Sequence, residues 1–408
     1  MASNGDDAKV RQEVTARRDA YTVGVGNITT HTHITPSDSQ KVEDQLAQLA
    51  LSQAQDARSA LIGTDTRGDE TANVKYARIP GRLREPEGRD IGDLRSILEY
   101  YQSLSPGRLV VIGAPGAGKT VLLLELQIRL LEERHKNPET PIPVLVSASV
   151  CDTTKKWDDW LAGHLSLRFS IPERTTANLV ANRRILPMVD GLDEMDPAGD
   201  SIPERAQALV RALNDSMQGL ERAPAVVTCR PGEYGRLAED IDKARHVELS
   251  GLTADEAADY LNGQFRTIAE RDRWKPVLDT LKRDPGGPLA EGLATPWRLA
   301  LALAAFRNEG DPAQLLPTAG TTDARHFAHV DDILQSSYVS SVVSPLGEDA
   351  PHTEPNVRNW LTSLADDLSR QAHHGRSATD ITLHEWSHPR KDLTARISHA
   401  ILTRVQLL

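Results

Sequence analysis

A chain of 408 residues with 39% hydrophobic content is long enough for two or three domains and apolar enough to bury a sizeable core, which excludes a disordered polypeptide. Its formal net charge of −11 argues against a general nucleic-acid-binding surface, which needs a basic footprint. Two widely separated cysteines, Cys151 and Cys229, exclude a disulfide framework and fit a reducing cytoplasm, and no window approaches the roughly 18 apolar residues of a membrane span.

Residues 1–20 are charged, lack an apolar signal core and read as a flexible tail. Ala20 to Pro36 is rich in Thr, Val and Ile with Gly24 and Gly26 between them, the composition of a strand or hairpin. His31 and His33 fall on one face of it, but no third metal donor is near. Between Asp38 and Ala60 the spacing of Val42, Leu46 and Leu49 predicts a helix, with Ser37 and Ser39 as cap candidates, so 21–60 forms a short strand and helix segment. Residues 61–105 read as linker and lead-in: polar from Gly63 to Asn73, extended from Arg78 to Arg89, helical from Ile91 to Leu104.

From 106 to 250, apolar strands alternate with helical stretches. Strands are expected at Leu109–Ile112, Pro143–Ser147, Ile185–Val189, Ala225–Thr228 and His246–Leu249, and helices at Thr120–Lys136, Lys156–Leu167, Thr175–Ala181 and Glu204–Met217. This alternation predicts an α/β fold with a five-stranded parallel sheet, whose ligands sit at the C-terminal ends of the strands. The remainder reads as helical domains. A subdomain over 251–310 opens on a capping box, Thr253 with Glu256, followed by helices at Trp274–Leu281 and Trp297–Phe306, the latter started by Pro296. Residues 311–408 form a C-terminal helical region open to a winged-helix arrangement, with a loop over 311–325 and helices at Val330–Val343, Val357–Gln371 and Leu393–Leu407. The last residues, AILTRVQLL, are apolar and uncapped, so the expectation is a piece of a longer protein.

The chemistry concentrates at three strand ends and one helix start. Gly113-Ala114-Pro115-Gly116-Ala117-Gly118-Lys119-Thr120 follows the first strand and runs into a helix at Val121, the context a P-loop requires. Its glycines let backbone N–H groups turn inward around phosphate oxygens, and the helix N-terminus adds partial positive charge. Lys119 reaches the β- and γ-phosphates and Thr120 offers its hydroxyl to Mg²⁺. About 70 residues on, an apolar strand delivers Asp190 at its tip, with Asp193 and Glu194 on the turn behind it. A carboxylate at Asp190 suits Mg²⁺, and Asp193 or Glu194 can orient or deprotonate an attacking water. Three acids after a strand can also be a solvated turn; the P-loop upstream decides for chemistry. A third strand ends in Thr228, Cys229 and Arg230, and an arginine fork there matches a γ-phosphate. In Ala294-Thr295-Pro296-Trp297, a rigid proline at a helix start can wall an adenine pocket or serve only as a first-turn proline.

Taken together, GAPGAGKT, VDGLDEM, VVTCRPGEY, LTADEAADYL and TPWRLAL resemble the NACHT family, a branch of the signal-transduction ATPases with numerous domains, and in particular NACHT proteins of high-GC Gram-positive bacteria. The likeness covers roughly 90–310, and WLTSLADDLSRQ resembles the helical segment that follows the NACHT core. The resemblance implies ATP and ADP as ligands, Mg²⁺, slow hydrolysis, an ADP-held monomer and a homo-oligomer in the ATP state. On that pattern Gly113, Ala114, Pro115, Gly116, Ala117, Gly118, Lys119, Thr120 and Val121 cradle the phosphates, Thr120 and Asp190 serve Mg²⁺, Asp193 and Glu194 assist hydrolysis, Arg230 reads the γ-phosphate and Pro296 lies near adenine. The histidine with which many relatives touch ADP is not marked by any motif; His326 and His329 qualify by location alone.

The expectation is therefore an ATP-driven signalling switch, in bacterial signalling or antiphage defence, with an activating ligand and effector that the sequence does not name. A metabolic kinase-like enzyme is the alternative, though nothing marks an acceptor site; a nucleotide-dependent scaffold with little hydrolysis is another. No Asn-Lys-x-Asp segment occurs to read guanine, which favours adenine.

Overall fold

The computed structural model describes residues 14–15, 20–24, 27–31, 36–62, 75–79, 91–93, 96–196, 203–307, 310–316, 323–343 and 353–373. They divide into two compact units, 1–49 and 50–408. The first holds a three-stranded antiparallel sheet, β1 (Val14–Thr15), β2 (Ala20–Gly24) and β3 (Asn27–His31), and the start of helix α1 (Pro36–Ile62). The strand-rich composition after Ala20 takes the form of the β2–β3 hairpin, with Val23 opposite Ile28. Val14 and Thr15, within the stretch read as a tail, pair with Tyr21 and Ala20. His33 lies outside the described residues.

The second unit is built on one sheet. Its strands are β4 (Lys75–Ile79), β5 (Ile91–Asp93), β6 (Arg108–Ile112), β7 (Ile142–Ser147), β8 (Ile185–Asp190), β11 (Ala225–Cys229) and β12 (Arg245–Leu249), in the order β5-β4-β12-β6-β11-β8-β7; a two-residue hairpin, β9 (Met217–Gln218) and β10 (Glu221–Arg222), stands apart. The five strands from β12 to β7 are parallel, as the alternating pattern predicts. The sheet has seven strands rather than five because β4 pairs antiparallel with β12, and β5 with β4. Part of the expected lead-in is thus an antiparallel edge, and the helix expected from Ile91 begins only at Ile97, as α2 (Ile97–Gln102).

Side chains alternate across the parallel strands with period two. Leu109, Val111, Leu186 and Met188 pack against Leu122, Leu123 and Leu126 of α3 (Lys119–Arg134) and against Ile97 and Tyr101. On the opposite face, Ile185 and Pro187 border a small void with Leu161 of α4 (Trp157–Phe169), Val180 of α5 (Glu173–Ala181) and Leu213 of α6 (Glu204–Asp215). Strands buried on both faces need continuous apolar runs, and each of β6, β8 and β11 supplies one. Ala54 in the second half of α1 packs on Leu124 and Ile128. The two cysteines are free and buried, and burial pushes the Cys151 thiol up to about 12.

After a one-turn helix, α7 (Pro231–Gly235), and β12, the chain is helical: α8 (Ala254–Gln264), α9 (Ile268–Arg283), α10 (Pro288–Gly292), α11 (Pro296–Ala305), α12 (Asp323–Val343) and α13 (Glu354–His373). Both α8 and α9 start in capping boxes, Thr253 with Glu256 and Thr267 with Glu270. The second box starts α9 six residues ahead of the expected Trp274, and the helix accommodates Pro276. Leu261, Trp274, Leu281, Leu299, Phe306 and Val330 form a core separate from that of the sheet. The expected loop over 311–325 contains a 3-10 turn, Pro312–Leu315, and ends where α12 starts at Asp323. The helix expected at Leu393–Leu407 lies outside the described residues.

Candidate functional site

Numbered in chain order, the five parallel strands lie 5-1-4-3-2, so β11 is inserted between β6, which feeds the glycine loop, and β8, which carries the acids. This placement brings four chain segments to one edge: the loop after β6, the turn after β8, the tip of β11 and the start of α3. Gly113 and Ala117 are buried, whereas Ala114 and Pro115 are exposed, so the loop stands clear of the sheet. Gly118 is the N-cap of α3, and Lys119, Thr120 and Val121 form its first turn, half-buried. Four unbonded N–H groups and the positive helix end therefore face the loop's concavity.

Lys119 Nζ donates to the Gly113 carbonyl at 2.8 Å and to that of Ala114 at 3.3 Å, which tethers the ammonium across the loop. Burial lowers its pKa, with Asp193 opposing. Thr120 Oγ1 donates to Asp190 Oδ2 at 2.8 Å, and the fully buried Thr228 hydroxyl donates to Asp190 Oδ1. Thr228 Oγ1 in turn accepts from Gly191 N at 2.8 Å. The hydroxyl that the sequence marks only as a polar strand tip is thus the bridge between β11 and the acidic turn.

Gly191 holds φ +79°, a left-handed conformation open to glycine at little cost, and the chain reverses there into the short turn Leu192–Glu194. The Glu194 carboxylate folds back over it, so that a Cβ on Gly191 would lie 3.1 Å from Glu194 Oε2. Asp193 turns the other way. Its Oδ2 lies 2.8 Å from Arg230 Nε, its Oδ1 accepts from the Arg230 backbone N–H at 3.1 Å, and its side chain is 3% exposed. Burial raises the Asp193 pKa, and Lys119 and Arg230 pull it back.

The helical region reaches this site. Gly116 also has a left-handed φ, +73°, and a Cβ there would stand 3.1 Å from Trp297 Cβ and 3.4 Å from Thr295 Oγ1. Thr295 caps α11 by accepting from Arg298 N, which fixes Pro296 at the first turn, between the two residues that touch the loop. Neither Thr295 nor Trp297 carries a sequence signal for this contact. His326 and His329 lie on α12, which packs against α10 and α11.

The donor set fits a nucleotide with Mg²⁺. One threonine hydroxyl and one carboxylate are hard oxygen ligands of the kind that hold Mg²⁺ together with substrate phosphates, and Lys119 with the α3 N-terminus supplies the complementary charge for those phosphates. Among the described residues no group of three or more His, Cys, Asp or Glu is arranged as a self-contained metal site, and no helix is long and apolar enough to cross a membrane.

The NACHT domain family model matches residues 108–267, the P-loop core from β6 through the start of the helical region. The parallel sheet with its flanking helices over this segment has a P-loop NTPase-like fold. No curated protein matches the chain. Among solved structures, the chain is similar to the Aeropyrum pernix ORC1 protein in complex with DNA, at 16% identity over 86% of this chain and 87% of that one, with a TM-score of 0.36. It is similar also to the ADPNP–ADP complexes of the A. pernix ORC2 protein, at 14% over 77% and 80% with a TM-score of 0.36, and to Drosophila ORC bound to DNA, at 14% over 93% and 88% with a TM-score of 0.34.

Proposed function

We propose that this protein is an ATP-driven switch of NACHT type, which binds ATP with Mg²⁺, hydrolyses it slowly and self-associates in the ATP state. The observation that carries the reading is the seating of Thr295 and Trp297 on Gly116. The Gly116 carbonyl of a loop that surrounds phosphates accepts from Trp297 N at 3.5 Å, in the first turn of a helix outside the NTPase core, so a change at the nucleotide has a direct mechanical path to the helical region.

In this reading Thr120 and Asp190 hold Mg²⁺, which when bound supplies charge neutralisation at the β- and γ-phosphates. Lys119 leaves the Gly113 and Ala114 carbonyls for phosphate oxygens. Glu194 orients the attacking water, Arg230 reads the γ-phosphate and Pro296 borders the base. A role in bacterial signalling or antiphage defence, in the cytoplasm, is the setting that the family likeness supports.

The test is nucleotide extraction from the purified protein, with light scattering after size exclusion, for wild type and Lys119→Ala. The expected result is ADP on a monomer that gains mass only with ATP, and a Lys119→Ala protein that has lost both properties. A nucleotide-free monomer with fast turnover and a mass indifferent to ATP sinks the switch and restores the ordinary-enzyme reading.

A further inference from the structure

The two acids after Asp190 are interchangeable on sequence grounds, yet the fold separates them. Both oxygens of Asp193 are taken by one residue: Oδ2 by Arg230 Nε and Oδ1 by the Arg230 backbone N–H. A carboxylate that is 3% exposed and has both oxygens engaged by Arg230 leaves little of either oxygen open to an attacking water. Arg230 is held at Nε alone. Its terminal nitrogens Nη1 and Nη2 have no partner among the described residues, and the side chain is 42% exposed. It lies within electrostatic reach of Lys119, the residue that faces the phosphates.

Resting on the nucleotide-switch reading above, we infer that Asp193 is a positioning residue: it straps Arg230 through Nε and the backbone N–H, so that the two Nη groups are presented as a preset fork for a γ-phosphate. Duty towards the attacking water falls to Glu194 alone. The strap sets a rotamer that a free arginine would have to find on binding, so its loss falls on ATP and spares ADP, which lacks the group the fork reads.

The experiment is equilibrium binding of fluorescent ADP and of a fluorescent, non-hydrolysable ATP analogue to the full chain, for wild type, Asp193→Asn, Arg230→Ala, Arg230→Lys and the Asp193→Asn/Arg230→Ala double variant. We expect Asp193→Asn to keep ADP affinity while its preference for the ATP analogue falls about tenfold, the range of one charged hydrogen bond. The double variant should match Arg230→Ala, because the strap has nothing left to hold. Arg230→Lys has the charge without Nε or a fork and should lose the preference as Arg230→Ala does, a result independent of whether Asp193→Asn folds. An intact preference in Asp193→Asn or in Arg230→Lys, or additive losses in the double variant, overturns the strap and leaves the switch standing. Equal binding of both nucleotides by wild type and Lys119→Ala removes the nucleotide site itself, and the strap with it.

Discussion

The two ends of the parallel sheet carry polar clusters of similar composition and opposite character. At the C-terminal ends, Thr120, Asp190, Thr228, Asp193 and Arg230 meet with hydrogen-bonding capacity left over, most plainly in the Arg230 fork. At the N-terminal ends, a fully buried arginine, Arg108, donates through Nη2 to the Leu213 carbonyl at 3.1 Å and to Asn214 Oδ1 at 3.4 Å. Asn214 also accepts from Asp242 N and donates to the Asp240 carbonyl, each at 2.9 Å, while Arg222 pairs with Asp242 at 2.7 Å. Asp240 ties together Tyr234 and His246. Most of these bonds end on backbone or on a neighbour's side chain, which knits α6, β10, α7 and β12 to the first residue of β6. Composition therefore does not distinguish a reactive cluster from a structural one; what distinguishes them is access, because the spare atoms of the structural cluster, Arg108 Nε and Nη1 and His246 Nδ1, are buried, whereas the Arg230 side chain is 42% exposed.

That contrast can be broken at either end. The largest effect belongs to Glu194→Gln, which should lower ATP turnover by roughly 10²–10³-fold, the contribution of a general base, with unchanged ADP affinity; a turnover assay beside an ADP titration checks it, and an unchanged rate assigns the protein to the non-hydrolysing scaffolds. Next is Asn214→Ala at the opposite end. It strips partners from Arg108, the Asp242 N–H and the Asp240 carbonyl, so stability should fall by about 2–3 kcal/mol in urea unfolding while turnover at 25 °C holds. A loss of turnover without a loss of stability would erase the distinction drawn above. Gly191→Ala sharpens it: a left-handed alanine costs about 1–2 kcal/mol, and its Cβ displaces the Glu194 carboxylate, so turnover should drop about tenfold.

The smallest effect concerns pH. Burial raises the Asp193 pKa, so the folded protein holds that proton more firmly than the unfolded chain does. Its contribution to stability is thus present at low pH and is lost as pH rises from the unfolded value of about 3.9 through the raised folded value. Asp193→Asn should accordingly melt no lower than wild type at neutral pH, and its advantage should vanish in acid, as a pair of thermal scans would reveal.

The C-terminal-end site was legible because its parts are contiguous in the chain. A strand, a glycine loop and a helix start must follow one another to make a phosphate cradle, and an apolar run ending in acids must be a strand tip. The Asp193–Arg230 pair was not legible, since 37 residues separate the partners and only strand order brings them together. Nor was the opposite cluster, scattered from Arg108 to His246 with no motif among its members. The antiparallel edge escaped for a different reason: Lys75–Ile79 and Ile91–Asp93 sit in a basic, proline-punctuated stretch whose pairing comes from the free edge of its neighbour, β12, rather than from its own periodicity. The early start of α9 was available in the Thr267 and Glu270 spacing.

The contact between Trp297 and Gly116 has an optical consequence. Trp157, Trp160 and Trp274 are buried, whereas Trp297 is 52% exposed, with its Cβ against the phosphate loop. An indole so placed changes its solvent shell whenever the loop moves. The molecule thus carries its own fluorophore at the joint between nucleotide and helices, and with Trp360 and Trp386 replaced by phenylalanine its emission colour would follow the filling and emptying of the loop in real time, without a label.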